Sequence, residues 1–247
     1  MPPVTPSRRT RADDVHDRLR TDILSGRLLP GRRLKFPDLA ASYGASVGVI
    51  REALIRLAER GLVRSEAHLG FQVAPLSDAG HAELCDARQQ IETLVLRRAI
   101  TDGDLAWESR LVAAHHRLER TPRTDPAAPG HPTPDWLLAH AAFHHALLDG
   151  CANRRLLAMA NALREEAELY RRWSHADADA DVAPATRTGT FPGSDTGSAT
   201  ATPADEHREL LDAALGRDAD RATDALSALI TLTAGLRLDA RVHDQDI

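Results

Sequence analysis

The stretch Phe36–Arg60, FPDLAASYGASVGVIREALIRLAER, decides the fold of the N-terminal part of the chain. Its apolar residues recur at helical spacing on both sides of Gly44, a residue type that readily adopts the left-handed conformation of a helix end. Ser46 follows as a side chain suited to capping the next helix. The stretch therefore predicts a helix-turn-helix, whose second helix lies in the major groove of DNA.

The residues on either side extend this pattern. A helix is expected from Asp13 or Asp14 to about Ser25, and Pro30-Gly31 marks a turn before the motif. After the motif, LVRSEAHLGFQVAPLS (62–77) has two short apolar runs around a polar centre, which predicts a two-stranded hairpin. A hairpin directly after a recognition helix is the wing of a winged helix-turn-helix.

The charge of the chain is unevenly distributed. Residues 1–75 contain 13 Lys and Arg against 8 Asp and Glu, a balance of +5, whereas residues 76–247 contain 18 against 28, a balance of −10. The two balances add up to the net charge of −5. A basic head on an acidic body is typical of a DNA-binding domain joined to a sensing or dimerising domain, although a solvated charge imbalance has the same appearance.

The rest of the chain predicts an all-helical body without strands. Its six expected helices have approximate bounds 77–102, 104–120, 135–150, 153–174, 204–216 and 218–239. In the first of them, the residues expected to form the apolar stripe are Leu84, Ala87, Ile91, Leu94 and Val95. Two linkers interrupt the body: the Pro-rich segment 121–134, and a low-complexity loop, 175–203, that we expect to be disordered.

The resulting fold class is mainly α. We expect a disordered arm (1–11), a winged helix-turn-helix (12–75) and a helical bundle (76–247). The two cysteines, Cys85 and Cys151, lack metal-type spacing and are expected to be buried thiols in a reducing cytoplasm. No apolar run is long enough to predict a membrane span, so a cytoplasmic protein is expected.

The head resembles the GntR family of bacterial repressors. The order of motifs carries the resemblance: a helix, LLPGRRL, a second helix, a Gly-containing turn, IREALIRLAERGLV, and a wing with a glycine. The residues that coincide with the family motif are Ser46, Arg51, Glu52, Ala53, Leu54, Leu57, Gly61, Leu62, Val63 and Gly70. The chain departs at Val47-Gly48-Val49, where many members have Arg-Thr-Pro and the arginine reaches DNA.

Several head residues are therefore candidate DNA contacts, namely Arg33, Lys35, Ser46, Val47, Gly48, Arg51, His68 and Gly70. Arg51 can pair bidentately with guanine or a phosphate, or instead form an ion pair with Glu52 or Glu59. Val47 removes one contact expected of the family but can touch a thymine methyl group. Arg33 and Lys35 can contact phosphates or simply form a solvated basic turn. Ser46 can contact a phosphate or act only as a helix cap. Gly70 lets the wing tip approach the minor groove.

A pair of histidines stands out in the body. His140 and His144 lie four residues apart in WLLAHAAFHHALL, a spacing that places both imidazoles on one helix face, and His207 opens a later helix. The chain has twelve histidines, so two surface histidines four residues apart can also occur by chance. The spacing by itself leaves both interpretations open.

The body also resembles a known domain, the FCD effector domain of the FadR-type subfamily, through FHHALLDGCAN and EHRELLDAALGRDADRA. That resemblance implies a divalent metal. His140 takes the position of the family's Asp or Asn ligand, and His144 and His207 take those of two family histidines. The fourth family ligand falls on Leu229, which cannot ligate. Three imidazoles would suit zinc or nickel and would leave coordination positions for water or a carboxylate effector. Alternatively, the loss of one ligand means that metal binding is weak or absent.

Arg88 and Glu92 match an Arg-x-x-x-Glu in the first body helix of that domain. Arg88 either reaches an acidic effector in the same cavity or forms an ordinary i, i+4 ion pair with Glu92. The two interpretations have equal weight at this stage.

The leading hypothesis is a ligand-responsive transcriptional regulator, a repressor that binds a palindromic operator as a homodimer and is controlled by a small molecule, with a carboxylate as the candidate effector class. An alternative is a metal-dependent helical enzyme with an accessory DNA-binding head. The chain has no HExxH motif and no carboxylate beside the histidine pair, which disfavours the enzyme. A regulator that has lost effector sensing is the third hypothesis, motivated by Leu229.

Overall fold

A computed structural model describes residues 10–66, 70–125, 128–175, 203–234 and 237–238. Residues 1–9 of the predicted arm and residues 176–202 of the predicted loop lie outside the described residues. The described residues form two compact units: the first contains those up to residue 84, residues 158–174 and residue 238, and the second contains residues 85–157 and those from 175 to 237. In the described residues no helix is both long enough and apolar enough to cross a membrane.

The head contains three helices and a small sheet. Its elements are α1 (Arg11–Leu24), β1 (Arg33–Leu34), α2 (Phe36–Tyr43), α3 (Val47–Ala58), β2 (Val63–Glu66) and β3 (Gly70–Val73). The strands are antiparallel in the order β1-β3-β2, and Phe71 in the central strand lies opposite Leu34 on one side and Ser65 on the other. The helix-turn-helix and the wing are confirmed, and β1 adds a third strand that the sequence pattern did not predict.

The body elements follow in chain order as α4 (Asp78–Asp102), α5 (Leu105–Arg120), β4 (Thr124–Asp125), β5 (Ala128–Pro132), α6 (Pro134–Leu148), α7 (Arg154–Trp173), β6 (Ser174–His175), α8 (Pro203–Leu215), α9 (Ala219–Ala234) and β7 (Arg237–Leu238). All six predicted helices are present, with ends that differ by a few residues. The expectation of a body without strands is wrong, because β4 pairs with β5 and β6 with β7. The first ribbon lies in the Pro-rich linker, where β4 has only two residues and β5 has two prolines and a glycine among its five, so the sequence shows no strand pattern.

The turn of the helix-turn-helix forms as its residues predict. Gly44 ends α2 in the left-handed conformation with φ of 60°, and the Ser46 side chain accepts a hydrogen bond from the amide of Val49 at the start of α3. The start of α1 differs from the prediction: Thr10 is the N-cap, and Asp13 completes a reciprocal capping box by accepting from the Thr10 amide. The helix therefore begins three residues earlier than an Asp13 cap would place it.

The hydrophobic core of the first unit is built mainly by α1 and α3. Val15, Leu19 and Ile23 of α1 are fully buried against the inner face of α3. The part of α7 that belongs to this unit adds Leu169 and Tyr170 to the same core. Residues more than eighty positions from the head in sequence thus complete its core.

The buried face of α4 differs in two ways from the predicted apolar stripe. Leu94 is exposed, which contradicts its expected inward position. Arg88 and Glu92 occupy the inward positions at helical spacing between Cys85 and Val95. The charged residues therefore lie in the core and an apolar one faces outward, a pattern that hydrophobic periodicity does not reveal.

Candidate nucleic-acid interface and candidate metal centre

The recognition helix α3 presents one face to the core and the other to solvent. Its buried residues are Ile50, Ala53, Leu54 and Leu57. Its exposed residues are Val47, Gly48, Arg51, Glu52 and Ile55. Ser46 is also exposed while it caps the helix, so its hydroxyl group lies at the positive end of the helix dipole, where a phosphate oxygen is favoured. The predicted contact residues of this helix thus share an accessible face.

Arg51 is held by an aromatic ring and not by an acidic side chain. Its guanidinium carbon lies 4.8 Å from the centroid of the Phe36 ring. Among the described residues Arg51 has no ion pair, so the alternative of a bridge to Glu52 or Glu59 is wrong. The charge of Arg51 remains available to a ligand at the protein surface.

The remaining candidate contacts lie on the sheet and at the start of α2. Arg33 is exposed on β1, opposite Gln72 of β3, and Lys35 is the exposed N-cap residue of α2. Gly70 begins β3 with φ of 84°, and a Cβ atom added there would meet no atom within 4 Å. The position therefore needs glycine for its backbone conformation and leaves space for another molecule. His68 lies outside the described residues.

Side chains of α1 tie the helix-turn-helix together. Arg11 donates to the carbonyl oxygen of Gly44 at 2.8 Å, and the Tyr43 hydroxyl donates to Asp22 at 2.6 Å. Asp13 accepts from Arg56 of α3 at 2.7 Å. The Thr10 backbone amide, followed by the Arg56 and Thr10 side chains, lowers the pKa of Asp13 to about 2. These contacts join both helices of the motif to α1.

A buried carboxylate that the sequence interpretation missed lies beside the end of the recognition helix. Glu165 of α7 accepts hydrogen bonds from Arg20 of α1 and from Arg60, which follows α3. Burial alone would raise the pKa of Glu165, but the hydrogen bonds and positive charges of Arg20 and Arg60 outweigh it and leave this pKa below its usual value. A Glu-Glu pair on a helix is ordinary in sequence, so only the fold reveals this role.

The three candidate metal ligands converge in the second unit. His140 and His144 of α6 and His207 of α8 are buried, and each offers a ligand atom within 4.8 Å of the others. The Nε2 atoms of His144 and His207 are 3.3 Å apart. The interpretation of the pair as surface histidines is therefore wrong, and the prediction that a residue from another helix joins them is confirmed.

Aromatic rings surround these imidazoles. Trp136 stacks on His140 with a centroid distance of 4.9 Å, and Phe143 meets His144 edge-on at 5.2 Å. Nitrogen ligands of one tetrahedral zinc ion, about 2.0–2.1 Å from the metal, lie about 3.4 Å from each other. The His144–His207 spacing is close to that value, and the ligand atoms of all three residues lie within 4.8 Å of one another. The donor set fits zinc or nickel.

Leu229, the residue at the fourth family position, lies half-buried on α9. Among the described residues, the group of converging ligands that contains His144 consists of three imidazoles. A metal held there would keep at least one coordination position for water or an exogenous ligand.

A cleft of about 490 Å³ reaches this cluster at His207, which is one of the residues that line the cleft. The Arg123 guanidinium stacks on the Trp136 ring at 5.2 Å in the wall of the cleft, and Arg208 pairs with Glu119. Burial lowers the pKa of His115, another lining residue. The cleft thus combines an aromatic wall and imidazole nitrogen with two arginines and the acidic residues Glu119 and Asp205.

Arg88 forms the i, i+4 ion pair with Glu92, and the pair lies in the core. Its Nε lies 2.6 Å from Oε1 of Glu92, and the two side chains are 4% and 0% exposed. A buried pair is strongly coupled, since removal of either partner leaves an uncompensated charge. The prediction that Arg88 contacts an effector is not tested by this geometry.

Comparison with known sequences matches both parts of the chain. Residues 11–73 match the bacterial regulatory proteins of the gntR family, and residues 83–232, more than half of the chain, match the FCD domain. The chain belongs to the GntR family and carries an FCD domain. It is therefore a transcriptional regulator, and the hypothesis of a metal-dependent enzyme is set aside.

Two relatives of this GntR-family regulator illustrate its place in the family. It is 33% identical over 220 residues to an uncharacterized HTH-type transcriptional regulator, BphR, of Paraburkholderia xenovorans, across 88% of this chain and 81% of that protein. It is 33% identical over 153 residues to the HTH-type transcriptional repressor GlaR of Escherichia coli, across 62% of this chain and 69% of that protein.

Solved structures share the fold of this regulator. Escherichia coli McbR/YncC superposes with a TM-score of 0.66 at 16% identity, over 96% of this chain and 99% of that one. A putative GntR regulator from Rhodococcus sp. RHA1 superposes with a TM-score of 0.63 at 22% identity, over 96% and 99% of the two chains. At these identities the likeness concerns the fold alone.

Proposed function

We propose that this protein is a ligand-responsive repressor that binds a palindromic operator as a homodimer in the cytoplasm. The observation that carries the DNA-binding part is the exposed face of α3, with Arg51 accessible and free of acidic partners among the described residues. The repressor assignment is supported by the name of GlaR, a transcriptional repressor. A two-fold dimer would place two such helices on successive major grooves.

Each contact residue has a physical role in this proposal. Arg51 binds a guanine edge or a phosphate through its planar guanidinium group, and Val47 packs on a thymine methyl group. Arg33 and Lys35 bind backbone phosphates, which orient the protein without reading sequence. Ser46 and Gly48 let the start of α3 approach a phosphate closely, and Gly70 does the same for the wing.

The DNA-binding proposal is tested by selecting operators from random duplex DNA and measuring the affinity of the protein for the selected duplex. Arg51→Ala should weaken binding to the selected duplex by about 1–3 kcal/mol. Arg155→Ala is the matched control, because it removes an exposed arginine from the other unit. Equal affinities for Arg51→Ala and the wild type would disprove the role of Arg51, and failure of the wild type to enrich any sequence would disprove operator recognition.

We further propose that His140, His144 and His207 hold a divalent metal, zinc or nickel. The metal would supply an electrophilic centre for a carboxylate effector that occupies the adjacent cleft. The convergence of three buried imidazoles, one of which, His207, also lines this cleft, supports the proposal. Arg88, held in the core by Glu92, would pair with a negative charge of the effector and thus change the balance between two arrangements of the dimer.

Metal content of the purified protein tests this site. The wild type should retain about one zinc or nickel ion per chain, and His144→Ala should lose it. His116→Ala serves as the control, since His116 is an exposed imidazole on α5 of the same unit. Absence of metal from the wild type, even after incubation with zinc, would favour the second candidate, a regulator without metal-assisted sensing, which Leu229 motivates.

A further inference from the structure

The side chain of Arg51 rests on an aromatic platform built from two separate elements. The platform consists of Phe36, the first residue of α2, and Phe71, in the central strand β3 of the sheet. The two rings meet edge to face, with centroids 5.8 Å apart and planes at 73°. The Arg51 guanidinium carbon lies 4.8 Å from the Phe36 centroid, within the range of a cation–π interaction.

The two rings are held more firmly than Arg51, which contacts the ring of Phe36. Phe36 and Phe71 both pack against the hydrophobic core of the first unit. Phe71 lies between Leu34 and Ser65 in the antiparallel ladder, so the backbone beneath it is paired on both sides. Arg51 is exposed. In the described part of the chain, the contact made by its guanidinium group is with the Phe36 ring.

This arrangement has a consequence for binding, because a free arginine loses several rotatable degrees of freedom when it contacts a base. Ordering one such side chain at an interface is a recognised cost of association. A ring already in contact with the guanidinium reduces the number of conformations that the free protein samples. An aromatic face also leaves the N–H donors of the guanidinium plane available, whereas a carboxylate would occupy them.

We propose that Phe36 is a positioning residue for Arg51, and that it orders the guanidinium for sequence reading before DNA arrives. The inference rests on the proposed operator binding by α3. Phe71 supports the Phe36 ring from the wing strand, so a wing residue contributes to base recognition by the helix without touching the base.

The test uses the full-length protein and the duplex selected by the wild type from random DNA. The base read by Arg51 is defined as the one at the operator position where the wild type prefers one base pair and Arg51→Ala does not. Affinities are then measured for the wild type, Phe36→Leu, Phe36→Tyr, Arg51→Ala and the double variant Phe36→Leu/Arg51→Ala. Each protein is measured on the selected duplex and on a duplex with that base pair replaced.

Phe36→Leu should weaken binding to the selected duplex about two- to fivefold and leave binding to the replaced duplex unchanged. Phe36→Tyr keeps the ring face and should bind as the wild type does. In the Arg51→Ala background the Phe36→Leu change should have no further effect, because the supported group is gone. A purely structural role for Phe36 would instead weaken binding to both duplexes equally.

The free protein provides a second readout. Ring currents of Phe36 should shift the side-chain NMR resonances of Arg51 upfield in the wild type and in Phe36→Tyr, and this shift should vanish in Phe36→Leu. The inference is overturned if Phe36→Leu keeps wild-type discrimination, if its effect persists in the Arg51→Ala background, or if Arg51→Ala keeps its preference at every operator position. Failure of the wild type to select any duplex is a different result and overturns the proposed operator binding itself.

Discussion

Arg60, just beyond the recognition helix, donates a hydrogen bond of 2.6 Å from Nη1 to Oε2 of Glu165 on α7. Glu165 is buried, and its other carboxylate oxygen accepts from Arg20 of α1. One carboxylate therefore joins the first helix of the head and the end of α3 to a helix that is distant in sequence. The DNA-binding head of this regulator is not completed by its N-terminal residues alone.

Glu165→Gln should destabilise the first unit, because it removes the negative charge between two arginines. Since Arg20 and Arg60 are themselves partly exposed and solvent screens them, the expected loss is about 1–2 kcal/mol, below that of a fully buried pair. Urea unfolding measures the change. Glu59→Gln, at an exposed position in the same unit, should stay within about 0.5 kcal/mol of the wild type. Equal behaviour of the two variants would contradict the assigned role of Glu165.

Asp13 predicts a specific dependence of stability on pH. Its pKa is about 2 in the folded protein against an ordinary value of 3.8, so the folded state favours the ionised form. The contribution of Asp13 is fully present above about pH 4 and is lost as the pH falls towards 2. Asp13→Asn should therefore lower the melting temperature much more at pH 6 than at pH 2. A deficit of the same size at both pH values would show that the ionised carboxylate is not the stabilising group.

Gly103→Ala should destabilise the second unit strongly. A Cβ atom there would lie 2.3 Å from the buried ring of Trp107 and 2.6 Å from the carbonyl oxygen of Ala99. Overpacking of this kind costs about 1–3 kcal/mol or more. Gly48→Ala is a useful contrast, because Gly48 is exposed in the first turn of α3 and alanine there should stabilise the helix by up to about 0.5 kcal/mol. Thermal unfolding followed by circular dichroism should give melting-temperature changes of opposite sign.

The salt dependence of DNA binding should separate phosphate contacts from base contacts. Replacement of Arg33 or Lys35 by alanine should reduce the slope of log affinity against log salt by about 0.9 for each residue. Both changes should weaken binding to unrelated sequences as much as to the operator. Titrations at several salt concentrations with operator and unrelated duplexes provide the data. An unchanged slope would place these side chains away from the DNA backbone.

Added zinc should raise the melting temperature of the metal-free protein, since an ion that binds only the folded state stabilises it by mass action. The increase should disappear in His140→Ala and His144→Ala and remain in His116→Ala. Chelator should reverse it in the wild type. This comparison of melting temperatures with and without zinc requires no knowledge of the effector or the operator. An increase that survives His144→Ala would locate the binding ion elsewhere.

Much of the fold could be predicted from local signals. Gly44 and Ser46 mark the turn of the helix-turn-helix correctly, because caps act within a few residues of the chain. The spacing of His140 and His144 indicated a shared helix face for the same reason. The strands of the body are not readable in the sequence, since β4, β6 and β7 have two residues each and the five residues of β5 include two prolines. Leu94 is exposed although the next two residues, Val95 and Leu96, are apolar and buried.

The sequence by itself determined the helices, the winged motif and the family to which this regulator belongs, because caps, periodicity and motif order are properties of neighbouring residues. Tertiary structure alone decided which distant groups meet. It placed Glu165 between Arg20 and Arg60 and laid Arg51 on Phe36, whereas the meeting of His207 with His140 and His144 was already implied by the family resemblance. These contacts depend on how helices and strands pack against each other, and the spacing within any one element does not encode that packing.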